Sequence, residues 1–492
     1  MPRELTPGKV LIVKKMNIPT NYLINSEELM SLGYTPGRAF GIALRTARKH
    51  QHLGKETLLT QLAEVLATPD AYATDVVYGK LANTLIKEAA VPEDAYIPLR
   101  KAGASYAVYG ESHIEAGART QMEVAMQLPV TVAGALMPDA HQGYGLPIGG
   151  VLAVENAVIP YGVGVDIGCR MALSIYDIPK AFFEANQSSF KRELIAQTRF
   201  GAGHGFKPHE RADHAVLTDA TFGMNPFVAN LKDKAWAQLG TSGGGNHFVE
   251  FGIIEFAEND PALGVPAGTY VALLSHSGSR GLGATLAGHY TKLAKELCRL
   301  PHEAQHLAYL GLDIEAGQEY WQAMTLAGDY ASANHEIIHR KMATALGAEV
   351  LAKVENHHNF AWKERWNGQE VVVHRKGATP AGKGVFGIIP GSMTAPGFLV
   401  RGRGESAAIN SASHGAGRQM SRTQAIKTIS REDMKAQLKQ HGVTLVGAGL
   451  DEAPMAYKDI HTVMAAQADL VDVVATFTPR LVRMADDGSR ED

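Results

Sequence analysis

At 492 residues the chain exceeds the length at which one core usually stops growing, so a large catalytic domain with a smaller appendage is expected. With 45% hydrophobic and 20% charged residues the composition argues against long disorder, and a net charge of -3 leaves nucleic-acid contact to local patches. Two cysteines exclude a disulfide framework, and neither a basic leader with an apolar stretch nor a run near the roughly 20 residues that span a bilayer is evident, which predicts a cytoplasmic protein.

In chain order, the region from about Asn25 to Ala90 reads as helical. Ser26-Glu27-Glu28 is a cap-like start, apolar positions in Ala39–Ala47 and Leu58–Leu66 recur at helical spacing, and Pro69 and Pro92 punctuate the region. Arg45, Arg48, Lys49 and Lys55 make it locally basic, read as a solvated helix face. Residues 1–101 are therefore expected to form a largely helical extension and residues 102–492 a catalytic domain. From Ala102 glycine-rich turns alternate with strand candidates at Val151–Val154, Phe248–Phe251 and Tyr270–Leu274. Helical periodicity runs from Thr285 to Leu346, strands return at Val371–Val373 and Phe386–Ile389, and a helix is expected near Arg422 to Gln440. The fold class is α+β with mixed sheets and no tandem repeat.

Chemistry concentrates in the glycine-rich turns. Asp166-x-x-Cys169 offers a hard oxygen and a soft thiolate in one tight turn, so both can meet one cation or the sulfur can bridge two. His247 after Gly245-Asn246, His276 in Ser275–Arg280, and His358 before Asn359 are aimed by flexible or polar neighbours. Together they supply a donor set suited to Mn²⁺, Zn²⁺ or Co²⁺ at a dinuclear site. In Ser413-His414-Gly415-Ala416-Gly417-Arg418 an imidazole stands beside glycines that admit phosphate oxygens and a guanidinium that can clasp them. Cys298 reads as a small buried hydrophobe. Two patterns point elsewhere. His335-Glu336-Ile337-Ile338-His339 matches the helix motif of zinc metalloproteases but is expected to pack. Gly377–Gly384 nearly spells a phosphate-binding loop, yet it lacks the hydroxyl residue and precedes a strand rather than a helix.

Taken in order, Met137–Gly145, Gly164–Arg170, Gly243–Phe248, Gly278–Gly283, His358-Asn359, Val373–Ala378, Pro390–Met393, His414–Arg418, Asp451–Pro454 and Tyr457–Asp459 resemble the RtcB-type RNA ligases. The resemblance spans about Ala102 to Ile460. It implies that Asp166, Cys169, His247, His276 and His358 hold two Mn²⁺ ions, with Cys169 bridging, and that His414 becomes guanylylated. It also implies a GTP site formed by Asn246, His247, Phe248, Val249, Glu250, His358, Asn359, Pro390, Gly391, Ser392, Met393, His414, Gly415, Ala416, Gly417 and Tyr457. Glu250 is the natural acceptor for two guanine donors. Asp139, Arg280, Arg418 and Arg422 are candidate phosphate or RNA contacts. The implied reaction joins a 2′,3′-cyclic phosphate or 3′-phosphate RNA end to a 5′-hydroxyl end, on tRNA halves or cleaved RNA, with archease as the suggested partner. Two departures stand out: Gly397 where the family carries a second serine, and an ending without the usual Lys-Gly, for which Arg483 is a candidate substitute. They favour, as an alternative, an enzyme that caps or processes RNA 3′-phosphate ends without joining them.

Overall fold

The computed structural model describes residues 24–35, 37–89 and 96–486; Pro92 and the acidic stretch after residue 486 lie outside them. The chain divides into two compact units, Met1–Tyr96 and Ile97–Asp492. In the first, Asn25 rather than Ser26 is the cap: its side chain accepts from the Glu28 amide at 2.9 Å while Glu28 accepts from the Asn25 amide at 3.1 Å. Helices Arg38–Lys49, Lys55–Ala67 and Gly79–Ala89 bury one stripe each, and Ile42, Leu58, Leu62 and Leu81 form a core of their own.

The second unit is built on two mixed sheets, the α+β arrangement expected. One sheet orders Tyr106–Val108, Thr131–Tyr144, Leu146–Val154, Gln369–Lys376 and Asn359–Trp366. The larger one orders Phe386–Ile389, Gly397–Gly402, Val471–Met484, Phe248–Phe256, Gly268–Ser277, Arg170–Tyr176 and Val350–His357, with Thr444–Val446 pairing Val471–Met484. Most pairs are antiparallel; Tyr106–Val108 with Thr131–Tyr144 and Thr444–Val446 with Val471–Met484 are parallel.

The helical periodicity of Thr285–Leu346 is borne out as two helices, and the one helix expected near Arg422 to Gln440 proves to be broken. The Thr285–Leu346 stretch is two helices, Arg280–Leu297 and Glu315–Leu346, because Pro301 and the short strand Leu310–Gly311 interrupt it. The Arg422–Gln440 stretch splits into Arg422–Thr428 and Arg431–Gln440, since Ser430 accepts from the Asp433 amide at 3.0 Å and starts a new helix. Cys298 ends the Arg280–Leu297 helix and is buried in the apolar core between the two long helices.

The register of four neighbouring strands positions the site. Arg170 pairs with both Ser277 and His357, and Phe248 pairs with His276. Cys169, His247, His276 and His358 thus fall at one common end of the larger sheet, each at or just beyond a strand terminus.

Candidate active site

At that end of the sheet, donor atoms of Asp166, Cys169 and His247 lie within 4.8 Å of one another, as do those of Cys169, His276 and His358. Cys169 belongs to both triads: its Sγ is 3.4 Å from His247 Nε2 and 3.2 Å from His276 Nε2. His247 Nε2 is 3.0 Å from Asp166 Oδ2, and the Nε2 atoms of His276 and His358 are 3.2 Å apart. The far side of two rings is fixed by backbone, His247 Nδ1 lying 2.7 Å from the Ser242 carbonyl and His276 Nδ1 3.2 Å from that of Asn246. Burial above all holds His276 and His358 well below the usual histidine range, so both present neutral rings. Five buried donors, a carboxylate, three imidazoles and one shared sulfur, have the chemistry of a mixed-donor dinuclear metal site. Gly278 is part of this design, because a Cβ there would stand 2.1 Å from Asp166 Oδ1.

His414 follows the strand Ser411–Ser413 and packs its ring 5.0 Å from that of His358. Its Nδ1 is 2.7 Å from Asp139 Oδ2, which also accepts from the His414 amide at 3.2 Å. Burial pushes the Asp139 carboxyl up, but His414, Lys458 and His141 outweigh it and hold the acid below its usual range. An ionised carboxylate on Nδ1 leaves Nε2 with the lone pair. Gly417 closes the turn with φ +71°, and a Cβ on it would come within 2.2 Å of the Asp139 carbonyl.

A cavity of about 390 Å³ opens over both features. Of the sequence-predicted nucleotide contacts, Asn246, Phe248, Glu250, His358, Asn359, Pro390–Met393, His414–Gly417 and Tyr457 line it. His247 and Val249 do not: His247 is fully buried in the donor cluster, and strand alternation turns Val249 to the opposite face, against Phe183, Phe190 and Leu481. Nor does Arg483 reach the cavity. Its neighbours Val482 and Met484 line the wall, whereas its guanidinium binds the Leu194, Ile195 and Thr198 carbonyls at 2.6–3.0 Å on the far side. Burial alone raises Glu250 well above the carboxylate range.

The four candidate phosphate contacts separate. Arg418 and Arg422 face the cavity, tied to Asp451 and Glu452; Arg418 donates to the Asp451 carbonyl at 2.7 Å and stacks 5.2 Å over Tyr457. Tyr457 in turn donates to Glu452. Asp139 is fully buried behind His414 and acts on that ring instead of on a ligand. Arg280 is only 1% exposed, its Nε donating to Thr241 Oγ1 at 3.1 Å, and its charge favours the ionised Asp166 from behind the cluster.

Sequence reasoning gave no role to Lys376, Glu452, Tyr144 or Tyr161, all on the cavity wall. Lys376 was visible as a charge continuing an apolar strand, and burial lowers its pKa to about 7. The two misleading patterns resolve as packing. His335 and His339 flank the Ser275 hydroxyl at 2.6 and 2.7 Å, with His339 also 2.7 Å from Ser174 Oγ, while Glu336 faces Arg340 and His214 at the surface. Gly377–Gly384 runs through the strand Ala378–Pro380 into Phe386–Ile389, with no helix to receive a phosphate.

Residues 121–485 match the family model described as "tRNA-splicing ligase RtcB". The chain is 36% identical over 408 residues to the RNA-splicing ligase RtcB of Escherichia coli K12, spanning 74% of this chain and 93% of that protein. It is 31% identical over 430 residues to the RNA-splicing ligase RtcB of Mycobacterium tuberculosis, spanning 73% and 98%. Identity to the tRNA-splicing ligase RtcB of Nanoarchaeum equitans is 30% over 413 residues, spanning 70% and 86%.

Proposed function

Because this chain belongs to the RtcB family and is an RNA ligase, we propose that it joins a 2′,3′-cyclic phosphate or 3′-phosphate RNA end to a 5′-hydroxyl end. It does so at the expense of GTP, through a guanylylated His414. The observation that carries this reading is an imidazole oriented by a buried carboxylate, 2.7 Å away, beside two metal-type triads that share one sulfur.

Asp139 keeps the proton on Nδ1, so His414 Nε2 attacks the α-phosphorus of GTP. The Nε2–P bond forms as the bond to the bridging oxygen breaks, and pyrophosphate leaves. Glu250, at the cavity wall, accepts the guanine N1–H and amino donors, while Arg418 and Arg422 face the phosphates. Asp166, Cys169, His247, His276 and His358 would hold two Mn²⁺ ions, which supply Lewis-acid neutralisation of phosphate charge. Water opens the cyclic phosphate to a 3′-phosphate, whose oxygen then takes GMP from His414. The 5′-hydroxyl of the second strand attacks that phosphorus, and GMP departs as the strand is sealed. Archease belongs to this reading as an activating partner.

The test is a joining assay with a 2′,3′-cyclic phosphate RNA, a 5′-hydroxyl acceptor, GTP and Mn²⁺. Sealed product dependent on GTP and lost in His414→Ala is the expected result. Accumulation of guanylate-capped 3′ ends without sealing would instead support an end-capping enzyme, a reading favoured by Gly397, which brings no side chain to the cavity wall. Formation of neither product would refute the proposal.

A further inference from the structure

The mouth of the cavity carries an aromatic cluster that the reaction above leaves unused. Tyr144, at the tip of the strand Thr131–Tyr144, is 66% exposed although its ring is held in place. Tyr161 meets it at 6.5 Å and His306 at 5.9 Å, both edge-on, and the Tyr161 and His306 rings are 5.1 Å apart. Two lysine amines flank the group. Lys376 Nζ donates to the Tyr144 carbonyl at 2.6 Å and sits 4.9 Å over the Tyr161 ring, and Lys295 Nζ is 3.1 Å from His306 Nδ1. Burial, then Lys295 and Lys376, lower His306 to a pKa of about 4, so it packs as a neutral ring.

The cluster is continuous with the reaction centre. The amide of Gly377, next to Lys376, donates to the His358 carbonyl at 2.8 Å, and a Cβ on Gly377 would lie 3.2 Å from His414 Cε1. Tyr144 and Tyr161 line the same cavity as His414. An open ring beside two lysine amines, at the entrance to a phosphate-transfer site, matches what single-stranded RNA requires: a stacking surface for a base and amines that an arriving phosphate holds protonated.

We propose that Tyr144, braced by Tyr161 and His306, is a stacking platform for an unpaired nucleobase at the 3′ end of the RNA whose phosphate enters the His414 site. The inference rests on the RNA-ligase reading and adds a base contact to it. On binding, one face of the terminal base covers Tyr144 while its phosphate passes Lys376 toward His414.

The test uses the full chain and a 3′-phosphorylated RNA carrying 2-aminopurine at its last position, with binding followed by fluorescence. Wild type is expected to quench the fluorophore, and Tyr144→Ala to bind about 5- to 100-fold more weakly without that quenching, the range of one lost base–aromatic stack. Tyr144→Phe, which keeps the ring, should restore both. Against an RNA whose last nucleotide lacks its base, wild type and Tyr144→Ala should bind alike. Equal affinity of wild type and Tyr144→Ala for the intact RNA would overturn the platform, as would an equal loss on intact and abasic RNA. A wild-type protein that joins RNA while giving either result sinks only this inference; one that neither binds nor joins RNA sinks the ligase reading beneath it.

Discussion

At the scale of single residues, the paired His414 and Asp139 show how the reactive group is set apart from other buried histidines. Burial drives His276 and His358 to neutrality as donors, whereas His414 has a carboxylate at 2.7 Å that fixes which nitrogen is free. Asp139→Asn should therefore lower the rate of His414 guanylylation about 10- to 100-fold with little loss of metal, as removing an orienting partner does. A single-turnover labelling assay beside metal analysis measures both. Glu250 makes a pH prediction. Burial raises its pKa, so the folded protein keeps a proton that the unfolded chain has released above pH 4.5, and stability must fall as pH rises through that window. Glu250→Gln should remove this slope in chemical denaturation across pH. Guanine needs the carboxylate, so GTP binding to the wild type should also release a proton, seen by calorimetry in buffers of different ionisation enthalpy. The donor identities were legible in the sequence because Asp, Cys and His types with flanking glycines restrict the chemistry. The placements of Val249 and Arg483 were not, since strand alternation about the Phe248–Phe256 and Val471–Met484 ladders decides which face each side chain takes.

At the scale of elements, the metal-type cluster is a product of register: four adjacent strands end together, and a one-residue slip would turn each donor to the other face. His335 and His339 reinforce this from behind by holding Ser275, the residue before His276. His339→Ala should cost about 1–3 kcal/mol of stability by leaving the buried Ser174 hydroxyl without its side-chain partner. Metal content per folded protein should stay unchanged, which thermal unfolding and metal analysis together can check. Gly278→Ala should do the reverse, displacing the Asp166 carboxylate and lowering metal content with a smaller effect on folding. The strand cores were readable from apolar runs. The breaks near Pro301 and at Ser430 were not, because a helical pattern resumes after each and only the cap or the proline marks the gap.

At the scale of the whole molecule, every donor and every residue of the cavity wall falls within Ile97–Asp492, while Met1–Tyr96 has its own apolar core. A chain beginning at Ile97 should thus remain soluble and guanylylate itself at a rate close to that of the full protein; failure to do so would give the helical unit a part in the first step. The family match starts at residue 121, which leaves that unit outside the shared region. Its helices were visible from spacing alone, but spacing carries no information about a partner. The account as a whole turns on a covalent bond at one ring. Intact-mass measurement after incubation with each nucleoside triphosphate and each divalent metal, followed by peptide mapping, tests it most directly. The expected result is one guanylate per chain, formed with GTP and Mn²⁺ and mapped to His414. An unmodified mass under all conditions, or a guanylate on any other residue, would contradict it.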